Sequence, residues 1–228
     1  MPTFRESENL PELADRVDRA LRAAGVDYEL IVVDDDSGDG IEEAAERLRE
    51  AGRPIRTIVR HGERDLSAAV IRGFREAAGE RLVCMDADLS HPPERIPAML
   101  DMLAQPGVDF VIGSRYVEGG STEEGRGFLR WLNSMAATLL ARPFTDARDP
   151  MAGFFALRRE TFERAAPLDP VGYKIGLELI VKCPCRGVRE IPIHFARRKH
   201  GQSKLSLRQQ VLYLKHLWRL ARFTLLNR

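Results

Sequence analysis

Three cysteines in 228 residues, Cys84, Cys183 and Cys185, are too few and odd in number for a disulfide framework, and they fit a reducing compartment. Cys183-Pro184-Cys185 has no neighbouring Cys or His to complete a zinc shell, so it reads as a structural pair. No run of about 18 apolar residues occurs, so no transmembrane helix is expected. The polar, acidic first ten residues are not those of a signal peptide. Charge excess is missing too. The 35 Lys and Arg stand against 34 Asp and Glu, a formal net charge of +1, so no global field draws the chain to nucleic acid or membrane. Any such attraction must be local. No G-x-G-x-x-G follows a strand-like segment, which disfavours a dehydrogenase. No glycine-rich basic loop lies near the N-terminus, which disfavours a nucleotidyltransferase. Repeats and low-complexity segments are absent.

What is present suits one domain with a small appendage: 44% hydrophobic residues for a core and 30% charged residues for a wet surface. Strand-like and helix-like segments alternate. Asn9 offers a helix cap with Glu12 as its box partner, followed by a stripe of Leu10, Leu13, Val17 and Leu21. Residues 29–33 read as a strand buried on both faces. A helix follows at 41–48, a strand at 55–59, and a helix capped by Ser67 that carries Val70, Ile71 and Phe74. Further strands are expected at 81–85 and 108–112, with a helix opened by Pro92-Pro93 between them. This rhythm predicts a three-layer α/β fold with a mostly parallel sheet flanked by helices. Beyond Gly113 the rhythm loosens into a loop at 119–125, a helix at about 127–142, strands at 154–157 and 188–195 around a helix at 173–183, and a basic loop at 197–203. A last helix at about 207–226 carries Leu207, Val211, Leu214, Trp218, Ala221 and Leu225 on one stripe. Arg208, Lys215, Arg219 and Arg222 flank it. Such a helix lies in a membrane interface or packs on the domain with its basic residues in water.

Two acidic clusters follow buried strands, Asp34-Asp35-Asp36 and Asp86-Ala87-Asp88. Ligands of open α/β sheets bind beyond the carboxyl ends of the strands, so both clusters should face one crevice. Carboxylates crowded there call for a cation, and Mg²⁺ or Mn²⁺ accepts hard oxygens while keeping positions for phosphate. A diphosphate held in this way needs cations opposite. Arg115, Arg130, Arg198 and Lys204 are the candidates, the last two in a loop able to close over phosphates.

With these residues in view, the chain resembles glycosyltransferase family 2, in its dolichol-phosphate mannosyltransferase branch, from Pro2 to about Leu205. Pro2-Thr3-Phe4-Arg5-Glu6 is similar to the family's Pro-Thr-Tyr-Asn-Glu opening. Val33-Asp34-Asp35-Asp36-Ser37-Gly38-Asp39-Gly40 resembles its Val-Asp-Asp-Asn-Ser-Pro-Asp-Gly turn. Asp86-Ala87-Asp88-Leu89-Ser90-His91-Pro92-Pro93-Glu94 resembles Asp-Ala-Asp-Leu-Gln-His-Pro-Pro-Glu. Gly113-Ser114-Arg115-Tyr116 matches outright, and Asp149 to Phe154 and Gly201 to Leu205 resemble Asp-Pro-x-Ser-Gly-Phe and Gly-x-Ser-Lys-Leu.

The resemblance implies a GT-A type catalytic domain over 1–205, with 206–228 as an amphipathic basic helix. It implies that Pro2, Phe4, Glu6, Asp34 and Asp35 hold the nucleotide, and that Asp86, Asp88 and Ser90 hold Mg²⁺ or Mn²⁺ on the donor diphosphate. Arg115 and Arg130 would bind the acceptor phosphate, Arg198 and Lys204 would close around the phosphates, and Asp149 would orient Arg115 or the acceptor. Asp88, Arg115, Arg130 and Asp149 form the expected catalytic set. The implied reaction is inverting transfer of a hexose, with mannose from GDP-mannose favoured and glucose from UDP-glucose open, to a polyprenyl or dolichyl phosphate. A membrane surface is an expected partner and nucleic acid is not; the expected location is the cytoplasm, peripheral to the membrane face. A non-catalytic nucleotide-sugar-binding module with a decayed site is the competing reading. Three departures stand out: Ser90 replaces a usual glutamine, Asp36 an asparagine, and Asp65 a glycine. The family's buried first strand is also missing before Pro2, which is expected to leave unpaired backbone groups in the core and points to a misassigned or cut chain start, a refilled gap, or a strand supplied by a partner chain.

Overall fold

The structure, a computed structural model, describes residues 1–62, 64–123, 128–169, 171–172, 174–197 and 207–226, and leaves aside the side chains of 128–134 and 207–209. Its parallel sheet starts with β1 (Pro2–Thr3), β2 (Leu30–Asp34) and β3 (Ile55–Val59), in that order across the sheet. A four-stranded sheet follows, in the order β4 (Arg81–Cys84), β7 (Phe155–Arg158), β5 (Phe110–Ser114), β8 (Val188–Pro192). β2 and β3 run parallel, as the βαβ rhythm predicts, and so do β5 and β8, but β7 lies antiparallel between β4 and β5. β6 (Ser121–Thr122) and β9 (His194–Phe195) pair separately.

Alternation along the strands explains the layers, because successive side chains point to opposite faces. Leu30 and Val32 face a cluster with α1 (Leu10–Ala23) and α2 (Ile41–Glu50), while Ile31 and Val33 pack against Ala69 of α3 (Leu66–Glu76). Val111, Phe154 and Ala156 meet α1 and α4 (Ile96–Ala104) on one face. Phe110, Ile112, Phe155 and Leu157 meet α3, α6 (Arg159–Glu163) and α7 (Ile175–Lys182) on the other. Phe110, Phe154 and Phe155 are sealed from solvent. Each is worth roughly 1.5–3 kcal/mol of burial, so this sandwich is the core that holds the strand ends in place.

The short β1 answers the expectation of unpaired groups beside β2. The Met1 amine donates to the Ile31 carbonyl at 2.9 Å, Val33 N–H donates to the Met1 carbonyl at 2.8 Å, and Asp35 N–H donates to the Thr3 carbonyl at 3.2 Å. Two expected caps differ. Asn9 sits in helical backbone geometry and makes no side-chain cap; its Nδ2 donates to Glu6 Oε2 at 2.7 Å, and the Glu6 carbonyl takes the N–H groups of Asn9 and Leu10 instead. For α3 the cap is Asp65, which accepts from Ala68 N–H at 2.8 Å, while Ser67 turns its hydroxyl to the Gly172 carbonyl at 2.6 Å. A carboxylate at the helix start also suits the helix dipole, which accounts for Asp65 in place of a glycine.

A third layer covers α7. α8 (Leu207–Leu226) and α5 (Phe128–Ala141) meet it through Ala141, Leu177, Leu217 and Leu220. Tyr213 Oη donates to the Ala137 carbonyl of α5 at 2.6 Å. Glu178 of α7, fully buried, meets Lys182 Nζ at 2.8 Å, His216 Nε2 of α8 at 3.3 Å and Asp169 N–H at 2.7 Å. The expected domain boundary at 205/206 lies outside the described residues. None of the described helices is long and apolar enough to cross a membrane.

Candidate active site

The chemistry gathers where β2, β4 and β5 end. β7 contributes because it runs the other way: its first residue, Phe155, pairs with Cys84 and Ile112, so the loop leading into it, Asp149 to Phe154, arrives at the same rim. Parallel and antiparallel strands thus deliver Asp34-Asp35, Asp86-Ala87-Asp88, Arg115 and Asp149 to one edge of the fold.

The loop after β4 is tightly wound. Leu89 has φ 64°, a left-handed value that costs a non-glycine residue about 1–2 kcal/mol. That bend turns Ser90 back on Asp88, whose Oδ1 accepts the Ser90 N–H at 3.1 Å and the Ser90 hydroxyl. Asp88 and Ser90 are both buried. Ser90, expected as a metal contact, therefore has its hydroxyl engaged in holding Asp88. His91 accepts the Asp86 backbone N–H on Nδ1 at 3.0 Å, which places its ring proton on Nε2. The approach of Nδ1 to Asp86 Oδ2 at 3.9 Å is consequently no ion pair. Burial lowers the His91 pKa against the pull of Asp86 and Asp88, so the ring is neutral. It stacks on Phe154 at 5.2 Å and meets Phe195 edge-on at 5.3 Å.

The Asp86 carboxylate is 27% exposed, and among the described residues no donor hydrogen-bonds it. A Cβ on Gly153 would stand 3.2 and 3.3 Å from its oxygens, so the glycine makes room for the carboxylate. Two hard carboxylates two positions apart in the chain, Asp88 pinned and Asp86 without a hydrogen-bond donor among the described residues, fit a divalent cation. No group of three His, Cys, Asp or Glu gathers for a metal among the described residues. The protein's share of such a site is then Asp86 and Asp88, and phosphate or water oxygens would complete it.

Arg115 and Asp149 face this pair. Arg115 Nε and Nη2 donate to the two Asp149 oxygens at 2.8 and 2.9 Å, and the Arg115 backbone N–H adds a third bond at 3.1 Å. Such a planar fork fixes the guanidinium more firmly than a single bond could. Asp149 is itself fixed, because Glu190 of β8 accepts the Arg148 and Asp149 N–H groups at 2.7 and 2.9 Å. Asp149 thus orients Arg115. The ion pair of Arg115 lies 34 residues away in sequence, and Glu190 lies 41 beyond Asp149; neither relation has a local signal.

Lys174, at the start of α7, joins the group unannounced by any motif. Burial first, then the charge of Arg115, lowers its pKa to about 8, with Asp149 and Asp86 pulling the other way. Its ammonium therefore lies within electrostatic reach of Arg115, Asp149 and Asp86. The signal that could have found it is a lysine at a helix N-terminus, where the dipole also favours an anion.

On the nucleotide side, Asp34 is buried and braces its own turn: it accepts from Thr3 Oγ1 at 3.0 Å and from Ser37 N–H and Oγ at 2.8 Å each. Asp35 accepts from Arg60 Nη1 at 2.7 Å and Asp65 N–H at 3.0 Å. Burial raises the Asp35 pKa, opposed by Arg60. Pro2 lies in β1, Glu6 holds Asn9, and the Phe4 ring has the Arg64 guanidinium over it at 3.8 Å. Asp36 is exposed with φ 52° and approaches His61 Nδ1 at 3.2 Å. Arg130 falls on α5, but its side chain lies outside the described residues, as do Arg198 and Lys204 altogether.

The family model of glycosyl transferase family 2 matches residues 1–165. Dolichol-phosphate mannosyltransferase of Pyrococcus furiosus is 44% identical over 227 residues, 98% of this chain and 63% of that protein. The chain thus spans under two thirds of that relative's length. The enzymes of the same name from Mycosarcoma maydis and Saccharomyces cerevisiae are 42% and 40% identical, over 98% and 95% of this chain and 78% and 84% of theirs. Among solved structures, glucosyl-3-phosphoglycerate synthase from Mycobacterium tuberculosis, in complex with Mn²⁺, UDP-glucose and phosphoglyceric acid, superposes with a TM-score of 0.66 at 19% identity. The match covers 95% of this chain and 77% of that one, and it supports a GT-A-like fold.

Proposed function

The chain belongs to glycosyltransferase family 2, and from that premise we propose that it transfers a hexose, mannose first, from a nucleoside diphosphate sugar to a polyprenyl or dolichyl-type phosphate with inversion. The observation that carries this reading is the meeting of Asp86 and Asp88 with Arg115, Asp149 and Lys174 at one rim: acidic oxygens for a cation on one side, fixed cations for phosphate on the other. The name shared by the three relatives supports mannose and a dolichyl phosphate acceptor, and GDP-mannose is the donor in our reading. The glucosyl transferase neighbour, bound to UDP-glucose, supports glucose as the second reading.

In this reading the acceptor phosphate, already anionic near neutral pH, attacks the anomeric carbon from the face opposite the leaving nucleoside diphosphate. No strong general base is required. Arg115, held flat by Asp149, orients the attacking phosphate, and Arg130 assists from α5. Lys174 draws charge from the departing diphosphate, and Arg198 with Lys204 close over the phosphates. Asp35, Pro2, Phe4 and Glu6 hold the nucleotide, Asp34 bracing their loop from behind. Mg²⁺ or Mn²⁺, bound by Asp86 and Asp88 with Ser90 supporting Asp88, would neutralise the diphosphate as its bond to the sugar breaks.

The membrane surface enters through α5 and α8. Among the described residues, eight of nine exposed large hydrophobics lie on these helices: Met135, Leu139 and Leu140, and Val211, Leu214, Trp218, Leu225 and Leu226. Lys215 and Arg222 are exposed beside them. The pattern supports peripheral attachment to a membrane face, the cytoplasmic one in our reading, where a lipid phosphate is presented.

The test is direct. Purified protein is incubated with GDP-mannose or UDP-glucose, a short polyprenyl phosphate, and Mg²⁺ or Mn²⁺. Mannosyl phosphate product is expected, lost with EDTA and reduced on the order of 10²-fold in Asp88→Ala. Full transfer by Asp88→Ala, or in EDTA, would reject the acidic pair as the metal site.

A further inference from the structure

Cys183 and Cys185 lie outside this site, at the exit of α7. The Cys185 N–H donates to the Cys183 carbonyl at 2.8 Å. A bond that skips one residue is a γ-turn, here around Pro184, whose fixed φ suits its inverse form. Two peptide units span about 7.2 Å when fully extended and less when bent. A disulfide needs its Cα atoms roughly 4.4–6.8 Å apart, so the turn brings the flanking Cα atoms into that range. Cys183 is buried in the cluster that includes Phe162, Ile175 and Leu179, and Cys185 packs half-buried against it. The thiols touch electrically: a hydrogen bond with Cys185, then burial, holds Cys183 protonated far above the ordinary thiol range. Cys84, the third cysteine, is sealed in β4 at 2% exposure.

We propose that Cys183 and Cys185 are a redox-active dithiol that closes into a Cys183–Cys185 disulfide when the protein meets a peroxide. Cys185 leads because solvent reaches it. Its thiolate attacks one peroxide oxygen and becomes a sulfenic acid, releasing hydroxide, which takes up the proton Cys185 lost. The Cys183 sulfur then attacks the sulfenic sulfur; the S–S bond forms and water departs with the Cys183 proton. Two thiols give up two electrons and two protons, and the peroxide becomes two waters. The ring so closed is small and strained, which makes it readily reversible by a dithiol reductant. It also clamps the end of the helix whose start carries Lys174 and whose middle carries Glu178.

The experiment treats the native full chain with a modest excess of hydrogen peroxide, then counts thiols and maps peptides without reduction. Loss of two of the three thiols is expected, with the 183–186 tryptic peptide lighter by about 2 Da and restored by dithiothreitol. Cys183→Ser should stop at a Cys185 sulfenic acid trapped by dimedone, while Cys185→Ser should leave Cys183 reduced. A disulfide to Cys84, a sulfinic acid at Cys185 with Cys183 still reduced, or three surviving thiols would each overturn the proposal. The wild-type peptide map decides the matter even if a variant fails to fold.

Discussion

Lys174 is a half-buried ammonium that feels the charges of Arg115, Asp149 and Asp86, with its pKa lowered to about 8. Its charge is present below that value and lost above it, so its grip on a diphosphate should weaken on the alkaline side. We expect kcat/KM for the nucleotide-sugar to fall as pH rises through about 8, because that ratio reports the free enzyme. In Lys174→Met the ratio should be lower than wild type below about pH 8, approach it on the alkaline side and lose this step; a step that survives belongs to another group. The acidic pair Asp86 and Asp88 was legible in the sequence because its members are two residues apart behind a buried strand. Arg115 was legible as a motif, and Asp149 as a helper. Their fork, the Glu190 brace and Lys174 were not legible. They are made by chain segments that meet only after folding, and an isolated Lys or Glu carries no local pattern. Ser90 illustrates a finer limit: its position named a metal contact, but only the turn at Leu89 reveals that its hydroxyl is engaged by Asp88.

Helix α8 shows how an element can be found while its orientation stays hidden. Its strongest apolar stripe, Val211, Leu214, Trp218 and Leu225, faces outward, each residue more than half exposed. The face that docks is the quieter one, Tyr213, His216, Leu217 and Leu220. The helix packs on the domain, as one of the two readings expected, and it keeps an apolar stripe outside. Hydrophobic spacing fixes the period of a helix, but two apolar faces compete for the core and only packing decides between them. Arg219, counted in the basic stripe, pairs with Asp169 Oδ2 at 2.7 Å and so belongs to the docking side. Leu214→Glu combined with Trp218→Glu should abolish flotation with anionic liposomes while shifting the melting temperature by no more than a few degrees, since exposed positions contribute little to stability. Flotation equal to wild type would remove the membrane role of α8.

Across the whole molecule, acid should act through carboxylates tied to the frame. Asp18 is the clearest case. Burial pushes its pKa up, but hydrogen bonds from Arg22 and Tyr28 and the charge of Arg53 outweigh this and leave it lowered. Glu178 is lowered in the same sense, burial opposed by His216 and Lys182. A depressed folded pKa contributes stability that is present above the unfolded value, near pH 4, and lost as pH falls toward the folded one. The melting temperature should therefore drop below about pH 4, and Asp18→Asn should flatten part of that drop; an unchanged profile would deny Asp18 its share. The layered α/β plan was legible because strand and helix periods alternate cleanly up to Gly113. The reversal of β7 was not, since hydrophobicity has no direction along a strand, and β1 is too short to carry a pattern. Gly113 shows what such a frame does to the site it supports. A methyl group there would stand 2.7 Å from a Phe154 ring carbon. Phe154 stacks on His91, and His91 holds the Asp86 backbone. The three form a strut that transmits displacement. Gly113→Ala, which adds no charge and removes no donor, should cost about 1–3 kcal/mol by overpacking and raise the Mn²⁺ concentration needed for half-maximal transfer. Damage to the Asp86 turn would then begin with one carbon atom placed in the neighbouring strand.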